Sequence, residues 1–333
     1  MTFFLVIAVY TLRMHLITNP SDISYLTGVR AHDPGEILIV YNENMIQSVF
    51  CDARTSALFD WKKYQIYDKR GEWWKKLSEY KHLTTDPDFL MQTLRNALEE
   101  YGLTLSFEKS PITQKRVLKN PTELELLRTS QALNKEVYQK ILPFLVPWVT
   151  EKEIARKIQI LQLELWASGP SFPPIVAFWE HSAIPHHSPT ERVLRSDDTI
   201  LLDMWLIYEG YCSDMTRMVY QKGIPEEARK IGELVMQVTK HIIGWAQPGM
   251  RMSELDKKAR EMLGEYEPYF THSLGHGVGI DIHEAPHVSS KFEEILEPGM
   301  IITIEPGIYV AGKYGARYER WFLLTKKKYI YYK

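Results

Sequence analysis

Apolar positions in the first third of the chain come in short bounded runs. Ile37 to Tyr41 and Ser48 to Cys51 read as strands, and a helix is predicted over about Asp86 to Tyr101. Together they predict a small α/β unit. Near residue 120 the spacing lengthens to a helical period. Asn120 is placed to cap, Pro121 takes the first helical position and Glu123 the third, and Leu126, Leu133, Val137 and Ile141 continue an apolar stripe. A second helix opens at the capping box of Thr150 and Glu153 and turns Ile154, Ile158, Leu161 and Leu165 inward. Then come a strand near Pro174 to Phe178, two strands within Thr199 to Tyr220, and helices near Glu226 to Trp245 and Glu254 to Tyr266. Strands around Ile301 to Val310 and Tyr318 to Thr325 follow.

The expected fold class is α/β in the α+β sense, with a smaller N-terminal α/β domain over residues 1–115 and a larger domain over 116–333. A length of 333 residues accommodates both, and no short repeat points to a solenoid. A net charge of −2 leaves no basic excess to attract nucleic acid. Cys51 and Cys212 are the only cysteines, too few for a disulfide framework or a thiolate zinc cluster, which fits a reducing, cytoplasmic setting. The apolar start, Met1 to Tyr10, lacks a basic flank and is too short to span a bilayer, so a buried first strand or an early start codon is expected and no membrane association.

Candidate chemistry concentrates after residue 200. Ile200 to Tyr220 reads as two strands around Glu209-Gly210, a pair suited to a tight hairpin turn. That loop sets Trp205 opposite Asp214 and makes Asp203 its diagonal neighbour on the same face, about 7–8 Å away. Two carboxylates among Ile, Leu, Met and Trp are costly to bury unless a cation compensates. Further along stand His276, flanked by glycines that allow close backbone approach, Glu305 at the end of IITIE, and Glu319 within a strand-like run. Each alone has an ordinary structural explanation. As a set, four carboxylates and an imidazole carry about −4, a balance for two divalent cations, with manganese, cobalt, iron or zinc favoured by the oxygen-rich donors. His283 to His287 spells H-E-x-x-H, a zinc-protease pattern that needs a helix. Pro286 opposes that helix, and Ile280 to His283 alternates as a strand does. His283 is therefore a second-layer or substrate-facing group, or equally a structural histidine.

Taken in order, ILLDMW, YCSDMTR, HSLGHGVGIDIHEAP, ITIEPGIY and GARYE resemble the pita-bread metallopeptidases, in their prolidase and Xaa-Pro aminopeptidase branch. LITNPSDISYLTG and CDAR extend the resemblance to that branch's N-terminal domain. It implies a pita-bread catalytic domain and two divalent ions: Asp203 on one, Asp214 and Glu319 bridging, His276 and Glu305 completing the second. Glu305 would also shuttle the proton of the attacking hydroxide, and His283 would steady the tetrahedral intermediate. His186 matches a substrate-side histidine, its neighbour His187 has no counterpart and is expected to be exposed, and Arg317 matches a substrate-side or supporting arginine, with a surface charge pair as the alternative.

The implied activity is hydrolysis of Xaa-Pro bonds at the N-terminus of dipeptides or short peptides, by a homodimer. The sequence departs from the pattern at three places. Trp205 stands where glycine is usual and could narrow the pocket; Arg320 replaces an aspartate and should point away from the metals; Phe178-Trp179-Glu180 replaces a smaller stretch. Creatinase shares the fold but not the ligand set. A catalytically silent peptide- or protein-binding module is the alternative from a different class, and Trp205 is its one support.

Overall fold

Six strands in the N-terminal part form one sheet ordered β4-β3-β2-β1-β5-β6, with β1 His15–Ile17, β2 Ile37–Asn42, β3 Met45–Cys51, β4 Ile66–Tyr67, β5 His82–Thr85 and β6 Thr104–Phe107. The computed structural model describes residues 13–30, 35–42, 44–168, 173–326 and 329–330, so Met1 to Tyr10, expected as a buried strand, lies outside the described residues. Every residue of β2 is buried, because helices cover both faces of the sheet. Leu38 and Val40 pack with Trp73, Leu77 and Leu98, whereas Ile37 and Ile39 pack with Ile23 and Ile112. The helices are α1 Pro20–Thr27, α2 Ala53–Ser56, α3 Arg70–Ser78 and α4 Gln92–Glu100. The single helix expected over Asp86 to Tyr101 is a 3-10 turn, Pro87–Phe89, then α4, because Asp86 caps the turn first.

The described chain divides into two compact units between Gln114 and Lys115, within helix α5, Pro111–Val117. In the second unit, α6 Pro121–Ile141 and α7 Glu151–Glu164 both begin with the expected capping boxes. They cover a three-stranded sheet of β7 Ile175–Phe178, β8 Thr199–Met204 and β11 Met215–Tyr220 in the order β11-β8-β7. Along β8 the alternation is strict: Ile200, Leu202 and Met204 face the α6/α7 core, and Asp203 faces the other way with Leu201. The short ribbon β9 Ile207–Tyr208 and β10 Tyr211–Cys212 extends the hairpin. Glu209 and Gly210 have φ of 47° and 83°, the left-handed pair that a two-residue turn matching strand twist requires. Thr216 pairs with Asp203 and Cys212 with Ile207, the register expected from that turn.

A second helix pair, α8 Glu226–Trp245 and α9 Met252–Leu263, packs Ile231, Val235, Val238 and Ile242 against Ile302, Ile304 and Phe322. Those residues belong to a sheet ordered β13-β12-β14-β17-β18, with β12 Gly275–Gly277, β13 Glu284–Val288, β14 Ile301–Ile304, β17 Arg320–Leu324 and β18 Tyr329–Ile330. Between β14 and β17 the chain makes a separate ribbon, β15 Gly307–Val310 with β16 Tyr314–Arg317.

Sequence and structure differ where strands are interrupted. The run Ile301 to Val310 breaks at Glu305-Pro306, and Glu319 sits in the gap between β16 and β17 rather than within a strand. Ile280 to His283 forms bends, and the strand begins at Glu284. The inward face of α6 also differs from the stripe expected through Leu126 and Leu133: it runs through Leu127, Ser130, Asn134 and Val137. Two polar residues stand in that face because backbone carbonyls need them. Pairing between β8 and β11 stops after Met204, and the carbonyls of Met204 and Trp205 accept from Asn134 Nδ2 at 2.7 Å and Gln162 Nε2 at 2.8 Å, while Ser130 Oγ donates to the Tyr211 carbonyl at 3.0 Å and the Leu206 carbonyl accepts from Ser213 N at 2.9 Å. Asn134→Ala and Gln162→Ala are each expected to cost about 1–3 kcal/mol by orphaning a buried carbonyl. Urea unfolding would register this as a lower midpoint with unchanged slope, against an exposed Gln139→Ala control within about 0.5 kcal/mol of the parent.

Candidate metal centre

Strand interruptions bring the acidic residues to one cavity of about 210 Å³. Asp203 enters from β8, Asp214 from the gap between β10 and β11, Glu305 from the end of β14 and Glu319 from the gap before β17. His276 comes from β12, which is squeezed between β13 and β14. Its flanking glycines serve that packing: a Cβ on Gly275 would stand 2.0 Å from the Thr303 carbonyl oxygen, and one on Gly277 2.3 Å from that of Ala285. One donor atom each from Asp203, Asp214 and Glu319 lies within 4.8 Å of the others, and the same holds for His276, Glu305 and Glu319. Oxygen and nitrogen ligands at about 2.0–2.2 Å from a shared ion stand at most about 4.4 Å apart. The groups are near that spacing, and Glu319 belongs to both.

The protein only partly satisfies these groups. Asp203 Oδ2 accepts from Arg317 Nη2 at 2.8 Å and Glu319 Oε2 from Thr216 Oγ1 at 2.9 Å. Asp203 Oδ1 and Glu319 Oε1 are buried without a hydrogen-bond partner among the described residues. Burial, then the charges of Glu305 and Asp203, push the Glu319 carboxyl up to about 8. Burial, then Glu319, Asp203 and Glu305, drive Asp214 well above the usual carboxylate range. His276 answers part of this charge. Its Nδ1 lies 3.0 Å from the Gly277 carbonyl, which only accepts, so Nδ1 carries a proton and Nε2 faces Glu305 at 3.2 Å and Asp214 at 3.6 Å. Burial works against charging this pair, yet their contact raises His276 to about 9 and lowers Glu305 to about 2. Orphaned carboxylate oxygens, crowded like charge and an imidazole nitrogen turned inward are a donor set suited to divalent cations.

Residues 125–326 match metallopeptidase family M24. The chain belongs to that family. An uncharacterized peptidase of Staphylococcus haemolyticus is 33% identical over 330 residues, 94% of this chain and 92% of the relative. Among solved structures, the Xaa-Pro dipeptidase from Bacillus anthracis superposes with a TM-score of 0.89 at 27% identity, covering 96% of this chain and 92% of the other. The prolidase from Pyrococcus furiosus gives 0.88 at 27% identity and 96% of both chains. The fold is therefore the pita-bread fold of the prolidase branch, as the motifs implied.

Around the M24 centre, the other expected residues divide. His186 is exposed on the cavity rim, and His283 stands beside His276 with ring centroids 4.4 Å apart. Protein crowding and the His276 charge hold His283 below the ordinary histidine range. Arg317 is no surface charge: it is 4% exposed and also donates to the Tyr309 hydroxyl, the Pro185 carbonyl and the Thr216 hydroxyl. Arg320 lies over the Tyr318 ring and does not line the cavity. His187, expected to be exposed, is buried because its Nε2 donates to Glu151 at 2.9 Å.

Glu151 gave no signal in the sequence beyond its place in the first turn of α7. Its two oxygens also accept from Phe178 N, His181 Nδ1, Thr190 N and Thr190 Oγ1 at 2.8–2.9 Å. Five donors fill a carboxylate, so Glu151, His181 and His187 form a structural knot that fixes the segment carrying His186, not a second metal site. Arg116 and Lys119 do the same behind His283 by pairing with buried Glu284. His272 is another omission, placed four residues before His276 and bonded to Tyr309 Oη at 2.9 Å.

Two outcomes are expected. Hydrogen bonds overcome burial to hold Glu151 at about 2 against an ordinary 4.5. That difference contributes about 3 kcal/mol at neutral pH, lost as pH falls from about 4.5 to about 2, and Glu151→Gln should lose about as much in chemical denaturation at pH 7. At the acidic centre the sign reverses. Glu319 holds its proton to about 8 in the folded chain but to 4.5 when unfolded, so metal-stripped protein should lose stability as pH rises through that window. Divalent cation at a hundredfold excess over Kd should restore about 2.7 kcal/mol. Glu319→Gln should weaken the pH dependence, leaving the part owed to Asp214 and His276, and abolish the cation-induced rise in Tm; a pH-independent Tm in stripped parent protein would contradict this account.

Proposed function

We propose that this M24 chain is a dinuclear metallopeptidase that hydrolyses Xaa-Pro bonds at the N-terminus of dipeptides or short peptides. The observation that carries the proposal is the convergence of Asp203, Asp214, Glu305 and Glu319 around His276, with Asp214 and Glu319 held above their ordinary range first by burial and then by the neighbouring carboxylates. Asp203, Asp214, His276 Nε2, Glu305 and Glu319 would hold the ions, and Asp214 and Glu319 each fall in two of the converging donor groups. When bound, two divalent ions supply a water nucleophile at neutral pH and polarise the scissile carbonyl. Manganese, cobalt, zinc and iron suit this donor set, which contains no thiolate.

The chain's own groups handle protons and orientation. Glu305 removes a proton as water oxygen bonds to the carbonyl carbon, then delivers it to the proline nitrogen as the C–N bond breaks. A neutral His283 donates to the carbonyl oxygen as negative charge develops there. Arg317 fixes the Asp203 carboxylate in place through their ion pair, and so acts through that carboxylate. His186, on the rim, faces the substrate. Support for Xaa-Pro as the substrate class comes from the Bacillus anthracis dipeptidase and the Pyrococcus furiosus prolidase, both similar over nearly the whole chain. All five ligands are retained, which favours catalysis over a silent binding module.

Metal-stripped protein resupplied with manganese, cobalt or zinc should cleave Xaa-Pro dipeptides or Xaa-Pro-initiated peptides and spare Met-initiated peptides lacking proline. Asp214→Asn should lower kcat/KM by at least about 10³-fold, a loss of roughly 4 kcal/mol of transition-state stabilisation. Full metal occupancy without turnover of any substrate would refute the peptidase proposal.

A further inference from the structure

Trp205 is 2% exposed, yet it packs in none of the apolar core clusters; it forms wall of the metal cavity instead. In the hairpin register it stands opposite Asp214 and two residues beyond Asp203 on the same strand face. Ile282 adds a second apolar side chain to that cavity, whereas Arg317 bonds the Pro185 carbonyl, next in the chain to His186, and the Tyr309 hydroxyl. The indole is almost wholly buried and its backbone is anchored. Gln162 bonds the Trp205 carbonyl and Asn134 the preceding one, both from buried positions on α7 and α6. Close packing on a fixed backbone makes the ring a wall of the cavity. The cavity, about 210 Å³, is smaller than the roughly 300–1,000 Å³ usual for small-molecule pockets.

We infer that Trp205 sets the size of the residue preceding proline, admitting glycine or alanine and rejecting large side chains. This rests on the proposed Xaa-Pro reading. With the proline at the His186 side of the cavity, the side chain before it meets the Trp205 and Ile282 wall.

The test compares Gly-Pro, Ala-Pro, Leu-Pro and Phe-Pro with the metal-loaded parent, Trp205→Leu and Trp205→Gly, the leucine variant retaining apolar volume should glycine unfold the segment. Metal content and Tm are measured on each. The parent should favour Gly-Pro or Ala-Pro over Phe-Pro by roughly tenfold or more in kcat/KM, and the variants should reduce that ratio by a similar factor. A ratio unchanged within about threefold in a folded, metal-loaded variant would overturn the inference. Calorimetry of the same dipeptides on metal-stripped protein separates this from the hydrolase proposal. If the parent cleaves nothing, that proposal fails, while tighter binding of Gly-Pro than Phe-Pro, levelled in the variants, still supports the size limit; equal binding, or none, defeats it.

Discussion

Four carboxylates share one largely buried cavity, and much of the second unit answers that charge. Arg317 supplies one positive charge directly to Asp203, and His276 supplies another to Glu305. Neither reaches the orphaned oxygens of Asp203 and Glu319. Like charge this close pushes carboxyls toward protonation unless cations intervene. The remainder of about two negative charges is what separates a cation centre from an ordinary buried ion-pair network, where acids and bases balance. The Glu284 cluster shows the contrast: Arg116 and Lys119 answer Glu284 and Asp281 charge for charge.

Holding such a centre open requires rigid supports, because each acid would relax toward solvent if its backbone could move. The apolar layers provide most of that rigidity, α6 and α7 over one sheet and α8 and α9 over the other. Three acids, however, stand where strand pairing is interrupted, and an interrupted strand leaves backbone groups without partners. Polar side chains fill those places. Asn134 and Gln162 complete the break after β8, Ser130 bonds the Tyr211 carbonyl of the facing strand, and Gln131 Oε1 accepts from Asp214 N at 3.2 Å. An unpaired buried carbonyl costs about 1–3 kcal/mol, so these helix positions are constrained by the metal centre even though none of them lines it.

Legibility in the sequence followed the range of the interaction. Capping at Asn120 and Thr150, and the Glu209-Gly210 turn, are local, and the residues that carry them can be read directly; the turn then fixed the register that places Trp205 and Asp214 opposite each other. The acidic set was legible because its residue types are improbable in apolar strands. What escaped was tertiary. Nothing local distinguishes Glu151 from any acidic residue in a helix's first turn, yet five donors from a distant loop converge on it. His187 was misread for the same reason, since its burial depends on Glu151. The alternation of Ile280 to His283 imitated a strand because Ile280 and Ile282 are spaced by two, while the Glu284 ion cluster and the close approach at Gly279 impose bends: a Cβ there would lie 2.3 Å from Glu284 Oε1.

The break after β8 places a residue of the carboxylate cluster and the wall residue of the proposed size limit in one short segment. Asp203 lies in the paired part of the strand and holds its carboxylate by the Arg317 bond; Trp205 begins the unpaired part, its backbone anchored by Gln162 at its own carbonyl and by Asn134 at the one before. The two residues share a face but not a set of supports. A smaller side chain at 205 removes bulk from the cavity and leaves both of those carbonyl bonds available, since each is made by backbone oxygen. The pocket can therefore change volume without moving Asp203. In a fold whose ligands are confined to a few strand ends, such a separation lets one metal centre serve substrates of different size through a single position on its wall.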